Sequence, residues 1–282
     1  MADFKALELK AYQIRKNILF SIGIDRRGHF GGSFSLAEIM ATLYFYKMKH
    51  DPKNPLMADR DRLILSKGHA SPALYASLAE VGYFPKSDLL TLKDLGSNLQ
   101  GHPDMLKTPG VEANTGSLGQ GLSIGCGIAI GLKHSGLLSR VYVILGDGEH
   151  GEGQVWEAIL FASSRKLDNI VAIIDKNNIQ AMGRVCDRMD TGNLASKWKI
   201  MGWHTIEING HDVVQIASAL DEAETIKGGP TVIIANTVKG RGVSFAENTA
   251  AYHNNLMGPD LYNKALSELE HKIKHLEIDS AG

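Results

Sequence analysis

The sequence predicts an α/β fold, a mostly parallel β-sheet with helices on both faces, and three observations lead to it. Residues 141–178 show a strand–helix–strand pattern, in which two short apolar runs rich in β-branched residues flank a helical segment. Further strand candidates at 63–65, 203–208 and 230–236 alternate with helical segments. A chain of 282 residues with 44% hydrophobic content can form one sizeable core. Because no repeat or Pro-rich linker interrupts the pattern, residues 1–282 are predicted to form a single domain.

Local patterns predict the helices of the first half. Apolar residues recur with helical spacing over residues 5–22, which predicts the first helix. Ser35 and Glu38 fit a capping box, which predicts a helix that continues to about Tyr46. Pro72 suits the first turn of the helix that follows the first strand.

The second half follows the same logic. Residues 122–133 are rich in Gly, Ala and Ile and almost uncharged, which predicts a buried helix in close contact with its neighbours. Residues 181–197 are predicted to form an irregular connection over the carboxyl edge of the sheet. Asp212, with Gln215 three positions later, is predicted to cap the next helix. An amphipathic helix is expected at about 259–277.

Charge and composition argue against several classes of protein. The chain has 30 basic and 31 acidic residues, so no broad attraction to nucleic acid or to an anionic membrane is expected. No run approaches the apolar length of a membrane span, and the N-terminal residues lack a signal-peptide pattern. Cys126 and Cys186 do not form a metal-spacing pair, and Cys126 is expected to be buried. These features predict a reducing, cytoplasmic location.

The strand–helix–strand unit brings two polar motifs to one edge of the sheet. A Gly-Asp-Gly turn around Asp147 follows one strand and the pair Asn177-Asn178 follows the next, and open parallel sheets bind ligands at this edge. The Asp147 carboxylate, the Asn177 amide and the Ile179 carbonyl are oxygen ligands that suit Mg²⁺ or another divalent cation such as Ca²⁺. The flanking glycines allow the backbone to approach a diphosphate. We therefore predict a cation that holds a diphosphate, with a turn capped by Asp147 as the alternative.

Four histidines lie in glycine-flanked turns or loops: His29, His69, His102 and His253. An imidazole titrates near neutral pH and can move protons or hydrogen-bond oxyanions. Several imidazoles around one site suit a substrate with hydroxyls and a carbonyl. The alternatives are ordinary structural roles or a metal site, although these positions lack the paired His, Cys and carboxylate spacing of metal sites. The sequence does not decide the role of His150, which lies near the Asp147 turn.

The Gly-Asp-Gly and Asn-Asn pair resembles the thiamine diphosphate motif, and the whole set of motifs resembles the transketolase family. The motifs keep that family's order over about residues 5–255, and they are Gly28-His29, Ser66-Lys67-Gly68-His69-Ala70, Gly101-His102-Pro103, Thr115–Gly121, Gly146–Gly153, Asp175–Asn178 and Lys239–Gly242. The resemblance implies the thiamine diphosphate-binding fold of that family's pyrophosphate domain.

The resemblance also implies roles for individual residues. The implied cofactor-site positions are Asp147, Asn177 and the Ile179 carbonyl as metal ligands; His69, the Gly148 amide and Lys239 as diphosphate contacts; Gly116 and Leu118 against the aminopyrimidine and thiazolium rings; and Glu152 and Glu157 near the dimer contact and the cofactor. The implied catalytic positions, which bind sugar hydroxyls and assist proton transfer, are His29, His102 and His253. Here the chain departs from the family, because Tyr252-His253-Asn254 stands where a His-Gly pair is usual.

Length is the main departure from the family. A full transketolase has pyrophosphate, pyrimidine and C-terminal domains, and this sequence resembles only the first. The resemblance implies the N-terminal subunit of a split transketolase, whose partner chain carries the other two domains and the glutamate that activates the cofactor, in an α2β2 assembly. Together they are expected to transfer a two-carbon ketol unit from a ketose phosphate to an aldose phosphate. A truncated piece of a longer chain is the alternative.

Three other functions share parts of the pattern. The α-subunit of a 2-oxo acid dehydrogenase has the Gly-Asp-Gly and Asn-Asn pair, but it is expected to lack the Ser-Lys-Gly-His and Gly-His-Pro turns. A deoxyxylulose-type synthase acts on a different sugar phosphate, and the choice between pyruvate and ketose phosphates as donor separates these enzymes. The third alternative is a non-catalytic thiamine diphosphate-binding homologue, against which the intact histidine set argues.

Overall fold

The computed structural model describes residues 3–281, with side chains as far as residue 278, and within them it contains a fully parallel five-stranded sheet. Its strands lie in the order β1-β2-β3-β7-β6, and a separate antiparallel pair joins β4 to β5. The strands are β1 (Arg62–Leu65), β2 (Val141–Gly146), β3 (Ile170–Lys176), β4 (Ile179–Gln180), β5 (Gly183–Arg184), β6 (His204–Asn209) and β7 (Thr231–Asn236). The predicted α/β class and the mostly parallel sheet are confirmed.

Helices follow most strands and cover the sheet. They are α1 (Phe4–Ile22), α2 (Gly31–Phe34), α3 (Ala37–Thr42), α4 (Ser71–Val81), α5 (Gln120–His134), α6 (Gly153–Ser164), α7 (Val185–Arg188), α8 (Leu194–Ile200), α9 (Val213–Thr225) and α10 (Pro259–Ala281). Short helical turns at Leu43–Lys47, Gly68–Ala70, Lys86–Thr91, Gly148–Gly151 and Ala250–Tyr252 complete the connections. Within residues 3–281, no helix is both long and apolar enough to cross a membrane.

Alternating side chains of each strand reach opposite faces of the sheet. Ile144 and Ile173, which pair across β2 and β3, join the core formed with α1, α3, α4 and α9. The next pair, Val143 and Ala172, joins the core formed with α5, α6 and α8. Burial on both faces explains why β2, β3 and β7 are almost continuously apolar in sequence, whereas the edge strand β6 is partly exposed and carries more polar residues.

The predicted capping box is wrong. The chain is already helical at Gly31–Phe34, and the residue before α3 is Leu36 in the helical region, so Ser35 has no free helix start to cap. Instead, the Ser35 hydroxyl donates to the Asp175 carboxylate at 2.7 Å. The Glu38 carboxylate accepts two hydrogen bonds from the buried Arg15 guanidinium, at 2.6 and 2.7 Å. Both side chains that the local pattern assigned to a cap instead bind residues that are distant in sequence.

The glycine-rich helix α5 is buried on one side only. Leu122, Cys126 and Ala129 are buried in the core, as the composition predicted. Gly127 and Gly131 lie on the opposite side, where a Cβ would meet open space. The predicted close contact with neighbouring elements therefore holds on the buried side, where a Cβ on Gly125 would meet Val143 at 2.6 Å, and not on the exposed side.

Two further local predictions have definite outcomes. Asp212 caps α9 as predicted, because its carboxylate accepts hydrogen bonds from the backbone of Val214 and Gln215. Residues 181–197 are less irregular than predicted, since they contain β5 and α7 and the beginning of α8.

Candidate functional site

The two polar turns of the strand–helix–strand unit lie side by side. Parallel pairing sets Gly146 of β2 opposite Asp175 of β3, so the residues that follow these strands meet at the carboxyl edge. The Asp147 carboxylate accepts hydrogen bonds from the backbone N–H of Asn178 at 2.5 Å and of Gly148 at 2.8 Å. Asn178 turns the chain with φ of 62°, a left-handed conformation that asparagine tolerates better than most residues.

A cavity of about 350 Å³ opens at this edge. It is lined by every residue of the predicted site except His102 and Glu157: His29, His69, Gly116, Leu118, Asp147, Gly148, Glu152, Asn177, Ile179, Lys239 and His253. His102 stands behind Gly116, where a Cβ placed on that glycine would meet its ring at 3.0 Å. Gly116 has φ of 155°, so the backbone there also favours glycine.

Three of the predicted histidines form a triangle at the wall of the cavity. The ring centroids of His29, His69 and His253 are 5.0 to 5.4 Å apart. His69 follows β1, whereas a backbone bridge between Gly28 and Asn255 brings the other two together. Among the described residues, the rings of His29 and His69 have no hydrogen-bond partner, which leaves them free to bind a ligand.

Burial keeps the triangle neutral. Burial is the main cause that lowers the pKa of His29 to about 4, of His69 to about 2 and of His253 to about 3. Nearby positive charge adds to the effect, chiefly from Lys93 at His29, Lys67 at His69 and Lys239 at His253. The pKa of His102 is lowered by burial and then by Lys93. A neutral imidazole has one nitrogen that donates a hydrogen bond and one that accepts, so these rings can bind hydroxyl groups at neutral pH.

Lys239 reaches across the cavity from the loop after β7. Its Nζ donates a hydrogen bond to the Ile179 carbonyl at 2.7 Å and lies 3.0 Å from Nδ1 of His253. Burial, and then repulsion from Lys67, lowers the pKa of Lys239 to about 8. A partly desolvated cation of this kind gains from an anionic ligand.

Asp147, by contrast, would gain from a cationic ligand. Burial, and then the neighbouring carboxylate of Asp175, raises its pKa to about 6. A buried carboxylate without a strong positive partner is stabilised by a bound cation. Among the described residues, no group of three His, Cys, Asp or Glu side chains could hold a metal. A cation at Asp147 would therefore draw on the Asn177 amide, the Ile179 carbonyl and the oxygens of its own ligand.

Lys67, for which the sequence predicted no role, lines the same cavity. Its Nζ donates to the Gly32 carbonyl at 2.8 Å and forms a short, buried ion pair with Asp175. Asp175 also accepts a hydrogen bond from Nδ2 of Asn177 at 2.9 Å. That bond orients the amide, because it fixes which side of Asn177 carries the donor. The signal in the sequence was a lysine two residues after a buried strand, at the ligand-binding edge.

Glu149 is the second residue that sequence reasoning missed. Its carboxylate accepts hydrogen bonds from Ser66 at 2.5 Å, from the backbone of Gly119 at 2.8 Å and from that of Gly146 at 3.0 Å. Burial raises the pKa of Glu149. One side chain thus ties together three of the separate motifs that surround the cavity.

Comparison with known proteins identifies the family. The family model described as "Transketolase, thiamine diphosphate binding domain" matches residues 10–278. The chain is 45% identical over 264 residues to the 6-deoxy-6-sulfo-D-fructose transketolase subunit of a Clostridium species, covering 94% of this chain and 96% of that protein. It is 42% identical over 269 residues to an apulose-4-phosphate transketolase subunit of Actinobacillus succinogenes, covering 95% of this chain and 97% of that protein.

Solved structures give the same result for the fold. The transketolase of Campylobacter jejuni superposes with a TM-score of 0.89 and 32% identity over 95% of this chain, but over 43% of its own. The chain therefore spans less than half of that transketolase chain and nearly all of the two subunit relatives.

Proposed function

This chain belongs to the transketolase family, in its thiamine diphosphate-binding domain, and we propose that it is the N-terminal subunit of a two-chain transketolase. A partner chain would supply the pyrimidine and C-terminal domains, in an α2β2 assembly. Two relatives that carry the word subunit in their names, and that match over almost their whole length, support this division. The cytoplasmic location stays a prediction of the sequence.

One observation carries the proposal: a single cavity joins a buried carboxylate turn, two lysines and three neutral histidines. Asp147, Asn177 and the Ile179 carbonyl suit a divalent cation such as Mg²⁺. Lys239 and His69 would face the diphosphate that this cation holds. The residues present therefore fit thiamine diphosphate with its metal, and the bound cofactor would supply the chemistry that breaks and makes the C–C bond.

The remaining residues would act on the sugar. His29 and His253 lie at the wall of the cavity and are neutral, so they can hydrogen-bond substrate hydroxyls and move protons from them. His102, behind Gly116, would join them once a substrate is bound. We propose that a two-carbon ketol unit moves from a ketose phosphate to an aldose phosphate at this wall.

The names of the relatives suggest which donors to test. One relative is named for 6-deoxy-6-sulfo-D-fructose and another for apulose 4-phosphate, and both sugars carry an anionic group away from the carbonyl. We propose a ketose of this general type as donor. The relatives are named as transketolases, which disfavours the three alternatives: a deoxyxylulose-type synthase, a 2-oxo acid dehydrogenase component and a non-catalytic homologue.

The experiment combines the chain with its partner subunit, thiamine diphosphate and Mg²⁺. Xylulose phosphate, apulose phosphate, 6-deoxy-6-sulfofructose and pyruvate are offered separately as donors, with ribose phosphate as acceptor. Transketolase activity predicts a two-carbon extension of ribose phosphate with at least one ketose and none with pyruvate. Turnover of pyruvate alone would contradict the proposal, and so would the absence of any transfer while the cofactor is bound.

A further inference from the structure

His150 lies directly after the Asp147 turn and is completely buried. Its Nδ1 is 3.0 Å from the Gly146 carbonyl and 3.1 Å from that of Asp147. Since both partners are acceptors, Nδ1 must carry the proton. The other ring nitrogen, Nε2, accepts a hydrogen bond from the indole of Trp198 at 3.1 Å. Burial lowers the pKa of His150 to about 4, which fits the neutral tautomer that both contacts require.

The chain has three tryptophans, and all of them belong to the cluster around this histidine. Trp156 of α6 packs against the His150 ring and donates its indole N–H to the His150 carbonyl at 2.9 Å. Trp198 of α8 packs against the same ring from another side. Trp203 touches Trp198 but donates to the Ile159 carbonyl, so it does not bind the histidine.

The cluster connects two parts of the chain that are distant in sequence. On one side is the turn that carries the proposed metal ligand Asp147. On the other is α8, at the end of the connection that crosses the carboxyl edge. That connection and the turn share a second cavity of about 250 Å³, lined by Asp147, Asn178, Arg184 and Thr191 among others. The position of α8 therefore affects the surroundings of the Asp147 carboxylate.

We propose that His150 is a positioning residue, which holds the Asp147 turn in its metal-binding geometry by tying its carbonyls to Trp198 of α8. The inference rests on the proposed function, because it assumes that a cation binds at Asp147. Partners of this kind, which orient a metal ligand without touching the metal, commonly change metal affinity by about 10- to 100-fold when they are removed. In this chain the contact runs through the backbone of the ligand turn.

The test measures Mg²⁺ binding to the chain together with its partner, at a fixed saturating concentration of thiamine diphosphate. Calorimetry gives the affinity, and tryptophan emission gives a second readout from the cluster itself. His150→Leu removes both sets of hydrogen bonds. His150→Asn keeps a donor for the carbonyls, whereas Trp198→Phe keeps a ring and loses only the indole donor. Trp203→Phe is the matched control, since it removes a buried indole donor of the same cluster that does not reach His150.

We expect His150→Leu to weaken Mg²⁺ binding about tenfold. His150→Asn and Trp198→Phe should each weaken Mg²⁺ binding a few-fold. The double variant that combines them should bind Mg²⁺ no more weakly than the weaker-binding single variant, because both substitutions remove the same hydrogen bond. Trp203→Phe should leave the affinity unchanged. If His150→Leu does not fold, the two conservative variants and the control still test whether His150 positions the Asp147 turn.

Two results would overturn the inference while leaving the proposed function intact. In the first, the parent binds Mg²⁺ and every His150 and Trp198 variant binds it equally well. In the second, Trp203→Phe weakens binding as much as Trp198→Phe does, which would make the cluster a packing unit only. A parent that binds no thiamine diphosphate with Mg²⁺ would instead overturn the proposed function, and this inference with it.

Discussion

At the scale of single residues, the site is built on opposed electrostatic demands. Asp147 is a buried carboxylate whose pKa is raised, and Lys239 is a buried ammonium whose pKa is lowered. Each is less stable as an ion than it would be in water. A metal–diphosphate ligand would satisfy both, with its cation near the carboxylate and its oxygens near the ammonium. Two substitutions test the two halves separately.

Asp147→Asn should abolish cation-dependent cofactor binding and yet stabilise the chain without ligand. Burial first, and Asp175 next, raise the folded-state pKa of Asp147 to about 6 from an ordinary 3.8. The folded state therefore holds its proton longer than the unfolded state, and stability falls as pH rises from about 4 to about 6. Above that window the variant should gain on the order of 3 kcal/mol, since one pKa unit corresponds to about 1.4 kcal/mol.

Urea unfolding across this pH range measures the gain, and calorimetry with Mg²⁺ and thiamine diphosphate measures the loss. Asp260→Asn is the control, because that carboxyl is exposed in the first turn of α10. If Asp147→Asn loses stability at a pH of about 7.5 and its cofactor binding still depends on the cation, the assignment of Asp147 as the ligand is wrong.

Lys239 predicts a pH limit for binding of the diphosphate. Burial and then Lys67 lower its pKa to about 8, so without ligand it loses its charge above that pH. We expect the affinity for thiamine diphosphate, with the partner present, to fall as pH rises from about 7.5 to about 9. Lys239→Arg should extend binding to higher pH, because the guanidinium stays charged. Lys239→Met should bind more weakly and lose this pH dependence; a Met variant with the parent's pH profile would exclude Lys239 as its origin.

Residue types also limited what the sequence could predict at this scale. Asp147 and Asn177 were predictable because each directly follows an apolar strand, and parallel strands end at one edge. Lys67 lies two residues after β1 at the same edge and was missed, since a lysine more often indicates a solvated surface. Glu149 was missed because its partners, Ser66 and Gly119, are distant in sequence. Tertiary proximity of this kind leaves no local pattern.

At the scale of elements, the failure of the capping box has a physical cause. Glu38 was assigned to a helix start, but it lies in a buried cluster with Arg15 of α1 and with His211, whose Nδ1 is 3.0 Å away. Burial opposes ionisation of Glu38, but Arg15 and His211 outweigh it and lower its pKa to about 2. His211 in turn accepts a hydrogen bond from the backbone N–H of Val238, next to Lys239. The cluster thus joins α1 and α3 to the loop that carries the lysine of the site.

Glu38→Gln should therefore destabilise the fold strongly. It leaves the fully buried Arg15 guanidinium without a counter-charge, and breaking a buried pair in this way costs about 3–5 kcal/mol. Glu270→Gln is a matched control, because Glu270 pairs with Lys16 of the same helix α1 at an exposed site. Its loss should cost less than about 1 kcal/mol. Urea unfolding of the two variants compares them, and equal stability would show that the buried cluster contributes little.

At the scale of the whole molecule, the sheet was the most predictable part. Its strands β2, β3 and β7 are apolar runs between turns, and burial on both faces leaves such a run almost no polar residue. Strand order was not predictable, since β7 lies between β3 and β6 although it comes last in sequence. Nothing in the local pattern of residues 231–236 indicates that this strand lies between the other two. The exposure of one side of α5 was not predictable either, because a glycine such as Gly127 or Gly131 looks the same in sequence whether it faces a neighbour or open space.

The open cavity leads to a prediction about assembly. Ten of the seventeen residues that line it are polar or charged and suit a diphosphate, and its larger apolar side chains are only Leu118 and Ile179. The aromatic rings of thiamine diphosphate need apolar surface to be buried. We therefore expect a partner chain to supply that surface, with two copies of each chain in the complex.

Calorimetry should then show that thiamine diphosphate with Mg²⁺ binds at least about tenfold more tightly when the partner is present, because apolar burial of about 55 Å² already contributes about 1.4 kcal/mol. Inorganic pyrophosphate with Mg²⁺ is the control, since it lacks the rings and should gain much less from the partner. Sedimentation of the mixture should give the mass of an α2β2 complex. If the chain alone binds the whole cofactor as tightly as the mixture does, the rings must be buried within this chain, and the division of the site between two chains is wrong.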